Sequence, residues 1–437
     1  MSDFGSLPGF RDFYPEDLER RTRIFAAWRE ASRRFGFREF DGPPLEPLDL
    51  YTGKSGEEIV RQLYAFTDKG GREVALRPEM TPSFARMVSA RAGALRKPIR
   101  WFAIPQLFRY ERAQRGRLRE HFQWNVDLVG EADVTADAEV IAVALTGLGL
   151  LGLGADAIVA RVSDRRLLEA LLGGLGIGAE GLAAAYAAID KLEREGADAT
   201  AERLVEHAGL SAGAAADLLG ALGSDTPAAL ADAAGGGEVA ARAADLERYL
   251  DTLDALGLRD RVAFDASIVR GLAYYTGIVF EIFDRAGELR AVCGGGRYDG
   301  LLAQLGGPDL PALGFGMGDV VLGELLADRG AEEGAAGAVD DHIVIVSEEQ
   351  RPLALRVAAA LRVAGRSVTY PLHETGVGRQ FKDANAAGAE RAVVLGPDEV
   401  AEGVAVVKDM RSGAESRVPL EELTRAEENP GADGDGG

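Results

Sequence analysis

A chain of 437 residues with 47% hydrophobic content has enough apolar surface for two or three folded domains, which excludes disorder as the state of the whole. Its formal charge of −21 repels polyanions on average, and a single cysteine, Cys293, excludes an internal disulfide framework. The four histidines, His121, His207, His342 and His373, show no metal-ligand spacing, so no protein-built metal site is expected.

The N-terminal MSDFGSLPGFRDFYPED has no apolar stretch behind a basic start and does not read as a secretory signal. The longest uncharged run, 140–155, has 16 residues and several glycines, short of the ~20 that span a bilayer. A cytoplasmic protein with no membrane partner is expected.

In chain order, Ile24, Phe25, Trp28, Ala31 and Phe35 follow helical spacing and predict a helix over 17–35, stopped by Gly36. Two β-patterned runs, 64–67 and 73–77, flank the turn signal Asp68-Lys69-Gly70-Gly71. Strands follow at 101–104, 107–110 and 122–129, then a helix over 135–148 and a strand at 158–162. Successive strands with short connections predict an antiparallel sheet flanked by helices, an α+β arrangement. From 176 to 257 the composition turns to alanine, leucine, glycine and acids, with Leu246, Tyr249, Leu250, Leu253 and Leu256 at helical spacing, so a helical insertion is expected. Strands at 262–269, 273–283 and 290–293 continue the sheet up to about 327. The stretch 328–341 reads as a linker, 342–424 alternates strands and helices as a small α/β domain, and 425–437 is too polar and glycine-rich to pack.

Four segments carry chemistry. Between Arg86 and Arg119 ten basic residues face one acid, Glu111, which is either a solvated basic face or a local field for a polyanion. Alternation along 122–129 puts Gln123, Asn125 and Asp127 on one face and Trp124, Val126 and Leu128 on the other, either a half-exposed strand or the lining of a wet cleft. Glu79 and Thr81 in LRPEMTP set a carboxylate and a hydroxyl two residues apart, suited to an ammonium group. RGLAYYTGIVFE places Arg270 beside Tyr274 and Tyr275, suited to an anion and a small polar ring held together. The glycines of GGGRYDG, and Gly314, Gly316 and Gly318 before the next helix, let backbone approach a ligand, but no dinucleotide fingerprint or Walker lysine motif occurs.

LRPEMTP, FRYERAQRGRLREHFQWNVD, RGLAYYTGIVFE and GGGRYDG occur in the order and approximate spacing of the histidyl-tRNA synthetases, and the chain resembles that family over nearly its whole length. The resemblance implies a class II synthetase sheet in a catalytic domain of two parts, 1–175 and 258–327, interrupted by the 176–257 insertion, and an anticodon-binding domain at 342–424. It implies Arg109 and Arg270 as catalytic cations on the α-phosphate of ATP, with Arg117, Gly316 and Gly318 as further ATP contacts. Glu79, Thr81, Gln123, Asp127, Tyr274, Tyr275 and Gly295 would hold histidine, and Arg112, Gln114 and Arg115 would meet the tRNA acceptor end. Mg²⁺ on the pyrophosphate, tRNA(His) as partner and a homodimer with Pro44 near its interface are likewise implied.

The chain departs from the family pattern at Ala273, where many members have Asp, and at Asp127, where some have Glu. GFGMGDVVL also puts Val321 where the motif 3 arginine usually contacts ATP, a trait resembling a branch with the RGLAYYTG wording. The rival reading is a non-catalytic, histidine-sensing paralogue such as an ATP phosphoribosyltransferase regulatory subunit. Arg270, the intact basic loop and the C-terminal domain favour the ligase.

Overall fold

The computed structural model describes residues 5–52, 60–269, 275–287, 289–304, 306–330 and 339–424. Arg270, Ala273 and Tyr274, most of the expected linker and the tail beyond 424 lie outside the described residues. The chain separates into two compact units, one of 1–12 with 20–332, the other of 13–19 with 333–437. Among the described residues no single helix is long and apolar enough to cross a membrane.

The helix Pro15–Arg34 carries acids in its first turn and Arg33 and Arg34 in its last, matching the helix dipole, and it buries Ile24, Trp28 and Ala31. After it comes the short strand β1 (Arg38–Glu39). Strands β2 (Leu45–Pro47), β3 (Tyr64–Thr67) and β4 (Glu73–Leu76) form a small separate sheet in the order β2-β4-β3. Its hairpin closes where the turn signal predicts. Asp68 Oδ1 accepts from the amides of Gly70 (2.8 Å) and Arg72 (2.9 Å), and Gly71 takes a positive φ of 78°.

The large sheet adds β5 (Ile99–Ala103), β6 (Gln106–Phe108), β7 (Glu120–Val129), β8 (Ile158–Asp164), β9 (Val262–Phe264), β10 (Ile278–Asp284), β11 (Cys293–Arg297) and β12 (Ala312–Gly318). Its order is β1-β5-β7-β12-β11-β10-β8-β9, with β6 also on β7. The pairs from β5 to β8 are antiparallel, as expected, while the edge strands β1 and β9 join in parallel and make the sheet mixed.

Two strands differ from the sequence expectation. CGGGR was read as the end of a strand followed by a glycine loop, and the second glycine set as the entry to a helix; both are inner strands, β11 and β12. Strand propensity disfavours glycine. Close approach outweighs that preference here, because a Cβ at Gly295 would stand 2.6 Å from Phe315 Cβ and 2.9 Å from Phe280 Cζ.

One face of this sheet packs on the helices. Trp124, Val126 and Leu128 of β7 are fully buried there. Trp124 stacks on Trp28 at 5.8 Å, meets Phe315 edge to face at 4.9 Å, and donates its indole N–H to Ser32 Oγ (3.0 Å). Each such aromatic pair adds about 0.5–1.5 kcal/mol beyond area burial. The helix Val134–Leu150, capped by Asp133, packs over β7 and β12.

Between β8 and β9 the chain is helical: Arg165–Gly174, Ala179–Ile189, Leu192–Glu195, Ala197–Ala208, Ala212–Leu222, Pro227–Ala233 and Glu238–Ala255. The last of these packs against Val134–Leu150 and Arg165–Gly174. Its Leu246, Tyr249, Leu250 and Leu253 join the same apolar cluster as Trp28 and Trp124, so these helices share one core with the sheet.

The second unit has a five-stranded sheet ordered β14-β13-β15-β16-β17, from β13 (Asp341–Ile345), β14 (Val368–Thr369), β15 (Arg391–Leu395), β16 (Val404–Asp409) and β17 (Glu415–Pro419). β13 pairs in parallel with β14 and β15, and β15 to β17 are antiparallel. Helices Arg351–Val363 and Val377–Ala386 cover it.

Candidate active site

The strand register sorts the free face of the large sheet into rows. Asn125, Gly316, Gly294, Glu281 and Arg161 lie abreast from β7 to β8, and the next row runs Asp127, Gly314, Gly296, Val279 and Ser163. Four glycines thus occupy the centre of a face whose flanking positions, Val279 apart, are polar. A Cβ at Gly316 would stand 2.9 Å from the Gln123 amide, and one at Gly314 would meet Val126 O and lie 2.7 Å from Asp127 Oδ1. The missing side chains leave a cleft of about 600 Å³, lined by Arg109, Arg117, His121, Gln123, Gly294, Gly316 and Gly318, and on its far side by Glu281, Phe283 and Arg290.

The β6–β7 connection carries the cations of one wall. Arg109 N–H bonds Arg119 O (2.9 Å), and Arg109 Nε donates to Pro78 O (2.9 Å), which ties it to LRPEMTP. Gln114 and Arg117 exchange backbone hydrogen bonds of 2.9 Å around a tip where Gly116 has φ 72°. Arg117 pairs with Glu111 at 3.0 Å. The tip rests on the helix Asp319–Asp328: Gly116 N–H donates to Glu324 (3.0 Å), and Arg115 pairs with Glu324 (3.4 Å) and Asp328 (3.1 Å). Arg112 and Gln114 are exposed.

Asp127 is buried in the row beside Gly314, where Tyr298 OH donates to its Oδ1. Burial pushes its carboxyl up to about 7 against the opposing pull of that hydrogen bond. Tyr275, Tyr298, Phe84 and Val279 share one buried apolar cluster. His121 on the cleft wall is driven the other way, to about 3, by burial and by the charges of Arg109 and Arg11, so its imidazole is neutral near pH 7.

Among the expected site residues, the structure brings Arg109, Arg117, Gln123, Gly316 and Gly318 to the cleft. Asp127 and Tyr275 are buried, Glu79 and Thr81 are partly buried, and none of these four lines the cleft. Gly295 is turned toward Phe315 and Phe280 on the core face, while its neighbour Gly294 lines the cleft. Asn125 and Asp127, expected on a wet strand face, are 6% exposed each, because the sheet edge does not end there and β12 pairs along them.

Sequence reasoning missed the residues that hold these side chains in place. Arg77 of LRPEMTP is buried and donates to Asp41 (2.6 Å), Gly42 O (2.7 Å) and Gln106 O (3.0 Å). Arg297 of GGGRYDG is buried against Asp137 and Glu131 O, and Tyr298 of the same motif serves Asp127. Asp319, after the second glycine set, accepts from Phe122 N–H (2.8 Å) and pairs with Arg11 (2.9 Å), which also bonds Glu120 (2.6 Å). The signal available was the charge inside glycine-rich, apolar wording, since a charged group there needs a buried partner. Arg290 and Glu281 carried no local pattern.

Comparison with known proteins gives the same outline. The histidyl-tRNA synthetase family profile matches residues 9–318, and the anticodon binding domain profile matches 342–426. The chain is 47% identical to a histidine-tRNA ligase of Opitutus terrae, over 97% of this chain and 98% of that one. It is 42% identical to the chloroplastic/mitochondrial histidine-tRNA ligase of Arabidopsis thaliana, over 96% of this chain and 86% of that one. A crystal structure of histidyl-tRNA synthetase from Nostoc sp. superposes with a TM-score of 0.85 at 23% identity, covering 97% of this chain and 98% of that one, which supports the fold. With the first profile spanning well over half of its length, the chain belongs to the histidyl-tRNA synthetase family.

Proposed function

We infer that the protein is a histidine-tRNA ligase: histidine and ATP give histidyl-adenylate and pyrophosphate, and the terminal ribose hydroxyl of tRNA(His) then takes the histidyl group. The observation that carries this reading is the glycine-floored cleft, cationic at Arg109 and Arg117, beside strand β7 with its buried Asp127. A polyanion suits the cationic wall, and a buried carboxyl on the adjoining strand suits a ring N–H donor.

Arg109 would meet the α-phosphate and stabilise the charge that builds as the histidine carboxylate attacks. Gly316 and Gly318 give the nucleotide backbone contact without side-chain bulk. Gln123, Glu79 and Thr81 would hold the α-ammonium. Asp127, positioned by Tyr298, would accept from the imidazole with Tyr275 close by, and a site built on such bonds rejects apolar isosteres. Arg270 and Tyr274 belong to the same proposal on the strength of the motif they sit in, and Gly295 would act through its backbone. Arg112, Gln114 and Arg115 would meet the acceptor end, which requires Arg115 to leave Glu324 and Asp328.

Mg²⁺ usually binds through substrate phosphates and one or two carboxylates. Glu281 and Glu111 are the cleft carboxylates that would share it, and the ion would neutralise the departing pyrophosphate. We also propose the catalytic parts 1–175 and 258–327, the insertion 176–257 and the anticodon-binding domain 342–424 as functional divisions, and a homodimer in the cytoplasm. On the same proposal, Val321 would put the chain with the branch that lacks the motif 3 arginine.

Histidine-dependent exchange of labelled pyrophosphate into ATP, followed by charging of purified tRNA(His), tests the reading. Histidine binding without exchange would instead support a sensor.

A further inference from the structure

The cleft has two walls, and among the described residues the motifs account for the cations of only one. Arg109 and Arg117 come from the β6–β7 connection, while His121 beside them is neutral. Arg117 is engaged by Glu111 and Arg109 Nε by Pro78 O. The helix Asp319–Asp328 presents Val320 and Val321 to the cleft, so its first turn adds apolar surface and no charge. Three strands from β7, at roughly 4.8 Å per step or about 14 Å in all, the connection between β10 and β11 brings a third cation, Arg290, to the same cleft.

Arg290 differs from its counterparts in having no partner among the described residues. Among the described residues it makes no hydrogen bond or ion pair, and its side chain is exposed. Arg285, five positions earlier on the same connection, is by contrast occupied with Ala155 O and Asp260 O. A guanidinium lining a concave site with its donors unspent is arranged for an anion that arrives with the ligand. The neighbouring acids Glu281 and Asp190 also line the cleft, which keeps its far wall near neutrality when no nucleotide is bound.

We propose that Arg290 is an ATP-binding residue, its guanidinium taking the outer phosphates from the wall opposite Arg109 and Arg117 and supplying there the charge that Val321 does not. The assignment rests on the ligase reading and adds to it a nucleotide contact in the segment between the RGLAYYTG and GGGRYDG motifs. The two outer-phosphate cations, Arg117 and Arg290, would then close on the pyrophosphate from either side while Arg109 stays with the reacting phosphorus.

The test is histidine-dependent pyrophosphate exchange with the full-length chain as wild type, Arg290→Ala and Arg290→Lys, together with calorimetric binding of ATP and AMP. Loss of a charge-assisted contact raises the KM for ATP about 10- to 100-fold in Arg290→Ala, with the KM for histidine unchanged and AMP affinity preserved. Arg290→Lys, which keeps the charge but loses the fork, falls between. An unchanged KM for ATP in Arg290→Ala overturns the assignment, as does an equal loss of ATP and AMP affinity, which would put Arg290 on the base or ribose. If the wild type itself shows no histidine-dependent exchange, the ligase reading fails, and that result is separate from either outcome for Arg290.

Discussion

The two larger sheets of this chain are both buried along their central strands, but they fill that burial with opposite materials. β13 in the second unit runs Asp-His-Ile-Val-Ile, with every position buried and Ile343, Val344 and Ile345 packed under helices. β11 in the first unit, Cys-Gly-Gly-Gly-Arg, is just as buried and has no side chain at its three central positions. A β-branched strand satisfies the packing of two covering layers, whereas a glycine strand between polar neighbours leaves a trough that the protein's own atoms do not fill. The cleft is therefore made by omission, and the residues around it are fixed by bonds made behind the sheet.

The strongest way to break that contrast is to remove the charge at the trough wall. Arg109→Ala is expected to lower the rate of pyrophosphate exchange by about 10²- to 10³-fold, the usual cost of one transition-state donor. It is half-buried and its described donors go to backbone oxygens, Arg119 O and Pro78 O, so the thermal unfolding midpoint should stay nearly unchanged. A loss of less than tenfold would take Arg109 out of the chemistry.

Filling the trough comes next. Gly316→Val puts a branched side chain where a single Cβ already stands 2.9 Å from the Gln123 amide. Displacing the substrate-side groups by about 1 Å costs on the order of 10²-fold in rate, read as a drop in exchange with both KM values raised. Activity close to wild type would mean that the nucleotide does not lie along this row.

Much of this arrangement was legible beforehand. Alternation along β7 put Trp124, Val126 and Leu128 in the core, and the Asp68 to Gly71 turn closed β3 on β4. Period-two and turn signals survive because they depend on local backbone chemistry. The glycine strands were not legible as strands, since their stability comes from neighbours such as Phe315, Phe280 and Val126 that no local window contains. Arg77 and Arg297 sit inside motif wording and read as site residues or not at all, because a partner such as Asp137, 160 positions away, is invisible from sequence spacing. Arg109 and Gln123 were legible because their chemistry and their strand position pointed the same way.

A smaller effect concerns the buried carboxyl beside the trough. Burial raises the Asp127 carboxyl to about 7, and the Tyr298 hydroxyl, by donating to it, favours the ionised form and holds the value down. Because the folded value lies above the unfolded one, the folded state keeps the proton to higher pH. The associated stability is present in acid and is lost as pH rises through about 7. If the ionised carboxylate is the form that accepts from the imidazole, kcat/KM for histidine should fall on the acid side of about 7. Tyr298→Phe removes the donor, worth about 1 kcal/mol or roughly one pH unit, and so moves that limb upward. Near pH 7.5 the variant should then be about threefold slower than wild type at low histidine and recover at higher pH. An acid limb that stays in place would separate Tyr298 from the titration of Asp127.

The smallest expected effect lies in the other sheet. Ile343→Val removes one methylene from a fully buried position of β13, costing about 0.5–1.5 kcal/mol, which a denaturant titration of the second unit's transition would register. Exchange should be unaltered, because every cleft-lining residue belongs to the first unit. The pairing of these results distinguishes a packed sheet from a vacated one: in β13 a lost methylene lowers stability without touching the chemistry, and in β12 an added side chain stops the chemistry. An exchange rate lowered more than about twofold by Ile343→Val, beyond what its small stability cost explains, would mean that the second unit takes part in adenylate formation, and the contrast between the two sheets would no longer be one of function.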